Sequence, residues 1–403
     1  MSAAAVLFPS ASSSKLSSAS AWLASSCKGK RSTAVLAAIK AKKAALSFTL
    51  PKALPSFKPF RSPLPIVKAA ARDTSPGLAA AMLFRQRMLQ AVEHANASLV
   101  LTTDGCGGVY LVQQDSTSVA VFKPRDEEYM APANPRGHCC PNAVVGETPH
   151  PAKKGFRVGD GAMREVAAYL LDAAYDHFSG VPTTHFVSLP VRGAYKEGSI
   201  QSFMPSESTA DDVGTLRFGA PDVHKIAILD VRLFNTDRHG GNILLQPTPG
   251  VSTYAMVPID HGLCLPSIHH LDAACFEWLY WPQAKIPLND AALNHIAALD
   301  DAKDAAALRS VGLDEEAIAT MRVCTKLLQK GAAAGFSLYD IGSVLQRDGA
   351  GLAPSKMELL VEDAFTRHAD VSSAAFLAHV DAAIDALWEQ ADKCKGRSMS
   401  GLY

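Results

Sequence analysis

Three residues spaced along the middle of the chain have the types needed to handle a phosphate. Asp237 and Asn242 stand five positions apart in DRHGGN, and Asp260 follows eighteen residues beyond the amide in IDHG. Phosphoryl transfer needs such a set. One carboxylate orients the attacking hydroxyl and accepts its proton, while an amide oxygen and a second carboxylate hold magnesium against the phosphates. Asp237 is therefore the candidate acid/base, and Asn242 and Asp260 are the candidate metal ligands. A polar turn and a helix cap draw on the same residue types, so the weight rests on the two motifs together. His239, inside the loop, is a candidate to share proton handling with Asp237 or to hydrogen-bond the loop backbone. Arg238 is expected to anchor the loop.

A cation and its partner complete the candidate centre. Lys123 ends the apolar run Val119 to Phe122, where an ammonium can reach a cleft and pair with ATP phosphates. Glu165 is the candidate to hold it, from a helix on which it lies off the apolar stripe. Gly105, Gly107 and Gly108 in DGCGGV let backbone N–H groups approach phosphate without a Cβ clash. The same glycines also suit a plain hairpin entry. Trp278, Tyr280 and Trp281 in FEWLYW are expected to pack against the helical part rather than to line a surface.

These residues need elements to position them. A helical stretch over Leu78 to Asn96 precedes a hairpin of GGVYLVQQ and SVAVFKP turning at Asp115 to Thr117. Residues 124–159 are rich in Pro, Gly and Asn and read as a long loop or insert. Apolar residues at helical spacing predict a helix over about 161–175, capped by Asp160. Short strands follow near 184–189 and 198–204, then a helix over about 222–234 that leads into DRHGGN. A strand pair carries Ile243 to Leu245 and Tyr254 to Ile259. From about residue 288 the chain is Ala-rich and helical. The order predicts an α+β, bilobal, kinase-like fold with a small β-rich N-lobe and a larger, mostly helical C-lobe. The cleft between lobes is a preferred ligand site.

Composition narrows the function classes. Residues 1–72 hold twelve Lys or Arg and no acid, which leaves 39 − 12 = 27 basic against 39 acidic residues, a net of −12, for residues 73–403. An acidic body argues against binding nucleic acid through phosphate neutralisation, and it offers anionic lipid no evident attraction. No apolar stretch is long enough to span a bilayer. The Ser-rich, acid-free residues 1–72 have the composition of an organelle transit peptide. Plastid import is the expectation, with a mitochondrial peptide or an uncleaved basic tail as the alternatives. The eight cysteines show no metal-ligand spacing and read as free thiols.

The D-x-x-x-x-N spacing and the later acid-x-Gly are those of protein-kinase catalytic and metal-binding loops. At greater length the chain resembles the phosphatidylinositol 3-/4-kinase superfamily, and within it the plant-type gamma, type II-like phosphatidylinositol 4-kinases. The likeness runs through SVAVFKPRDEEYMAPANPRG, REVAAYLLD, DHFSGVPTT, GSIQSFM, HKIAILDVRLFNTDRHGGNILL, VPIDHGLCLP and CFEWLYWPQAK, over about residues 98–285. It implies a catalytic domain over 98–400, with the N-lobe at about 98–204 and the C-lobe at about 205–400. Residues 73–97 would form a helical extension. It also implies Lys123 as the ATP-contacting lysine, Gln201, Ser202, Phe203 and Met204 as an adenine hinge, and ATP with Mg²⁺ as cofactors. The implied acceptor is the 4-hydroxyl of phosphatidylinositol, reached by peripheral membrane contact. A protein Ser or Thr acceptor is the alternative, and a nucleotide-binding scaffold without turnover is a third reading. Cys139, Cys140 and Pro141 stand where membrane-bound type II enzymes carry an acylated cysteine run.

Overall fold

The computed structural model describes residues 76–93, 97–347, 351 and 353–400; the transit-peptide reading of residues 1–72 lies outside them. An antiparallel five-stranded sheet forms the small lobe. Its strands are β1 (Ser98–Leu101), β2 (Tyr110–Gln114), β3 (Thr117–Pro124), β4 (Thr184–Val191) and β5 (Ala194–Ser202), in the order β1-β2-β3-β5-β4. The two strands expected near 184–204 are one tight hairpin. Arg192 and Gly193 both take positive φ, +50° and +86°, the left-handed pair that matches strand twist in a two-residue turn.

Strand alternation gives the sheet two different faces. Ala120 and Phe122 of β3 lie beside Ser202 and Ile200 of β5, and the apolar members of this face join Val187, Leu189 and Val191 in a core. The first described helix, α1 (Pro76–Glu93), covers that core with Met88 and Val92. The helix read as an extension is therefore the outer layer of the lobe. The opposite face presents Val121 and Lys123 beside Gln201 and Ser199, toward α2 (Gly161–Ala173).

α2 packs into a core shared with the helical lobe. Val166, Ala167 and Leu171 meet Leu229 and Leu233 of α3 (Ala220–Leu233), together with Ile318 and Met321 of a later helix. The helical lobe continues with α4 (Asp290–Ala298), α5 (Asp301–Ser310), α6 (Glu315–Ala333), α7 (Leu338–Leu345), α8 (Lys356–Phe365) and α9 (Ala374–Ser400). A small sheet, β6 (Ser208–Thr209), β7 (Ile243–Pro247) and β8 (Tyr254–Pro258), is embedded near its start. The fold is the bilobal α+β arrangement expected. Among the described residues no helix is long and apolar enough to cross a membrane.

The cap expected from Asp160 is not made. Its backbone is itself helical, at φ −87° and ψ −13°, and its side chain makes no cap bond. A capping side chain needs extended backbone to fold back over the first turn. Glu128, 33 residues before Gly161, does the job instead. Its carboxylate accepts from the N–H groups of Gly161 at 3.1 Å and Ala162 at 2.9 Å.

Candidate active site

Lys123, at the end of β3, is gripped from two sides. Its Nζ donates to Glu165 Oε1 on α2 and lies 3.1 Å from Asp260 Oδ1. Burial works against the ammonium, but Asp260 and Glu165 outweigh it and hold its pKa above that of an ordinary lysine. Glu165 is 2% exposed, and Lys123 and His261 hold its carboxyl below the usual range despite burial. Residues 123, 165 and 260, distant in sequence, thus share one ion cluster. Asp260 itself takes φ +56°. Asp tolerates this left-handed conformation better than most residues.

The catalytic-loop candidates are held by a buried polar knot. Asp230, in the last turns of α3, is fully buried. It accepts from Arg238 Nε at 3.0 Å to both oxygens, from Asn235 Nδ2 at 2.9 Å and from Trp278 Nε1 at 3.0 Å. Arg238 also donates to the carbonyls of Asn242 at 2.6 Å and Ile259 at 2.9 Å. One guanidinium therefore fastens the loop carrying Asp237 and Asn242 to the strand end carrying Asp260. Asn235 Oδ1 in turn accepts the Asp237 N–H at 2.9 Å.

Asp237 is 40% exposed, open enough to meet a substrate. Burial raises its pKa, Lys153 pulls it down, and Asp260 adds to the rise. Asn242 donates through Nδ2 to the Asp237 carbonyl at 3.0 Å, which leaves its Oδ1 as the free end of the amide. An amide oxygen and the half-exposed Asp260 carboxylate are the oxygen donors that Mg²⁺ prefers. Among the described residues no group of three or more His, Cys, Asp or Glu forms a metal site. An ion held by Asn242 and Asp260 would complete its shell with phosphates and water, as magnesium usually does.

The other candidates divide. His239 caps its own turn, its Nδ1 accepting from the Gly241 N–H at 3.1 Å, and only its backbone N–H bonds Asp237, at the carbonyl at 3.1 Å. Of the hinge residues, Gln201 turns its amide away to Thr184 Oγ1 at 2.9 Å. The N–H groups of Ser202 and Phe203 go to the carbonyls of Thr183 and Val119. That leaves the Met204 N–H as the hinge donor without a partner among the described residues. Gly108 must be glycine for a local reason. A Cβ there would meet the Glu127 side chain at 2.2 Å, and its N–H is spent on the Glu127 carbonyl at 2.8 Å. Gly105 takes φ +89°, and a Cβ at Gly107 would meet Glu127 and its neighbours only at ordinary contact distances. Trp278 and Trp281 pack inside, whereas Tyr280 stays 78% exposed.

Sequence reasoning missed the residues that brace this centre. Arg136 of the insert donates to the carbonyls of Gly107, Thr103, Thr102 and Asp104 at 2.6–3.0 Å, and Asn134 donates to that of Cys106 at 2.8 Å. Arg164 donates to the carbonyls of Cys264 and Leu265, just past Asp260. Asp230 had a legible signal, as an acid inside the apolar run IAILDVRL. Arg136 and Glu128 had none, because their partners lie some thirty residues away.

A family model described as phosphatidylinositol 3- and 4-kinase matches residues 105–341, more than half of the chain. The chain belongs to this family. It is similar to phosphatidylinositol 4-kinase gamma 4 of Oryza sativa subsp. japonica, with 43% identity over 279 residues, 66% of this chain and 48% of that one. It is similar as well to phosphatidylinositol 4-kinase gamma 1 of Arabidopsis thaliana, with 42% identity over 275 residues, 63% of this chain and 48% of that one. Phosphatidylinositol 4-kinase gamma 2 of Arabidopsis thaliana matches at 38% over 315 residues, 71% of this chain and 56% of that one. The chain spans about half the length of the curated relatives it matches.

Proposed function

We propose that this chain transfers the γ-phosphate of ATP to the 4-hydroxyl of phosphatidylinositol. The observation that carries the reading is the convergence of Lys123, Glu165 and Asp260 in one ion cluster, tied through Arg238 to the loop of Asp237 and Asn242. Lys123 sits where a nucleotide phosphate would exchange for its contact with Asp260. Asp237, raised above the ordinary aspartate range, orients the acceptor hydroxyl and takes its proton. Asn242 and Asp260 would hold Mg²⁺, whose charge neutralises the phosphates. The glycines at 105–108 and the strand end at Met204 would flank the nucleotide. The names of the similar proteins support phosphatidylinositol as the acceptor.

Purified chain given labelled ATP and Mg²⁺ tests this, with phosphatidylinositol vesicles and a protein mixture offered in parallel. The expected label is in the lipid, and Asp260→Ala abolishes it. Label confined to protein would overturn the acceptor, and nucleotide binding without any transfer would overturn the activity. The acid-free composition of residues 1–72 supports plastid import, which a reporter fused to that segment tests.

A further inference from the structure

One cation beside the catalytic loop has no part in the roles described so far. Lys153 comes from the insert between β3 and α2, and its Nζ lies 3.9 Å from Asp237 Oδ1. The insert is a strap rather than a free loop. Arg125 at its start donates to the Gly159 carbonyl at 3.1 Å near its end, and the Gly146 N–H bonds the Val158 carbonyl at 2.7 Å. Its tip is bolted to the helical lobe. The Gly155 carbonyl accepts from the Ser267 N–H at 2.9 Å, and Arg157 pairs with Asp314 at 2.9 Å. Gly155 takes φ +78°, and a Cβ there would meet His270 at 3.0 Å, Ser267 N at 3.1 Å and Pro266 at 3.2 Å. Next to that close approach, the Lys153 N–H donates to His150 Nδ1 at 3.0 Å. The backbone carrying this lysine is therefore fixed from both lobes, over the loop that holds Asp237.

We propose that Lys153 is a catalytic cation that binds the γ-phosphoryl group during transfer. The proposal rests on the kinase reading above and adds a residue to it. Lys123 serves the nucleotide end of the site, tied to Glu165 and Asp260. Lys153 serves the acceptor end. Asp237 holds the attacking hydroxyl, and in a reactive complex that oxygen lies about 3–3.5 Å from phosphorus. A cation next to Asp237 thus reaches the equatorial phosphoryl oxygens, where charge is spread in the transition state. In the step, an oxygen lone pair of the acceptor forms the new O–P bond. The bond from the γ-phosphorus to the β–γ bridging oxygen breaks, and its electron pair leaves on ADP. The acceptor's proton passes to Asp237. Lys153 keeps its own proton and turns from the Asp237 carboxylate to a non-bridging phosphoryl oxygen. Lys154 is 73% exposed and pairs with Asp272 at 3.8 Å, so it serves as the control.

The test uses the full chain with Lys153→Met, Lys153→Arg and Lys154→Met. Calorimetry measures the affinity for Mg·ADP with and without aluminium fluoride, which mimics the phosphoryl group in flight. Lys153→Met is expected to bind Mg·ADP as the wild type does but to lose most of the affinity gained from fluoride. Its kcat falls by about 10²–10³-fold, as on removing one donor to a developing charge, while KM for ATP stays within about twofold. Lys153→Arg restores part of both losses, and Lys154→Met changes neither. A Lys153→Met chain with full kcat and an intact fluoride increment overturns this proposal and leaves the kinase reading standing. So does one that loses Mg·ADP affinity and thermal midpoint together, which marks the lysine as structural. A wild-type chain that neither binds Mg·ADP nor transfers phosphate overturns the kinase reading and this proposal with it.

Discussion

Replacing Asp230 with Asn tests how the active-site loop is held. The change keeps size and shape and removes one charge. Asp230 and Arg238 are both fully buried, and one terminal amine of Arg238 already lacks a partner among the described residues. Neutralising the acid leaves a buried guanidinium without its ion-pair partner. Breaking a buried pair in this way costs about 3–5 kcal/mol, a large share of the ~5–15 kcal/mol that holds a typical domain. Slack also passes to the chemistry, because Asn235 links Asp230 to the Asp237 N–H through two bonds of 2.9 Å. A misplacement of about 1 Å there lowers kcat by about 10²-fold. Urea unfolding followed by circular dichroism measures the first effect, and transfer assays at a temperature where the variant is folded measure the second. Removing both charges, with Asp230→Asn and Arg238→Met together, is expected to recover much of the lost stability, since deleting a whole buried pair is often neutral. A loss under about 1 kcal/mol for the single variant, or a double variant no better than the sum of its parts, would refute the account of the knot.

Three further outcomes follow from the geometry. Arg136→Ala removes the clamp on residues 102–107, which are half-buried or exposed, so their freed carbonyls can rehydrate. ATP affinity is expected to weaken by about 5–30-fold, equivalent to about 1–2 kcal/mol of lost ordering, while the thermal midpoint moves little; calorimetry with ATP checks it. Glu128→Ala uncaps α2 and is expected to cost about 0.5–2 kcal/mol, read as a lower midpoint in denaturant, whereas Asp160→Ala, which removes no cap, costs less. Asp237 is raised above its ordinary value of 3.8, and protonation disables it as a proton acceptor. Activity therefore falls as pH drops through that raised value, and an acid limb of kcat/KM at or below 3.8 would contradict the assignment.

The centre was legible where its parts are local in sequence. DRHGGN and IDHG name their own residues, and the apolar run before Lys123 marks a strand end, so the ligand and acid candidates needed only spacing. The packing of Trp278 and Trp281 was legible for a similar reason, as large apolar surface must be covered. What stayed hidden was pairing at long range. The Pro- and Gly-rich insert has no periodicity to show that Arg136 folds back on the glycine turn, that Glu128 caps α2 or that Lys153 reaches Asp237. The Asp160 cap failed because a residue type that favours caps sits here on helical backbone. His239 went to its own turn because the Gly241 N–H lies within reach of its ring. Gln201 points to Thr184 because strand alternation sets its side chain beside that hydroxyl.

In the proposed reaction Asp260 and Asn242 join Lys123 to handle a metal-bound triphosphate. Calorimetric titration of ATP into the wild type and Asp260→Asn, each with and without Mg²⁺, probes this most directly. The wild type should bind ATP far more tightly with the ion than without it, and the variant should lose that difference. An undiminished response to Mg²⁺ in the variant would contradict the account.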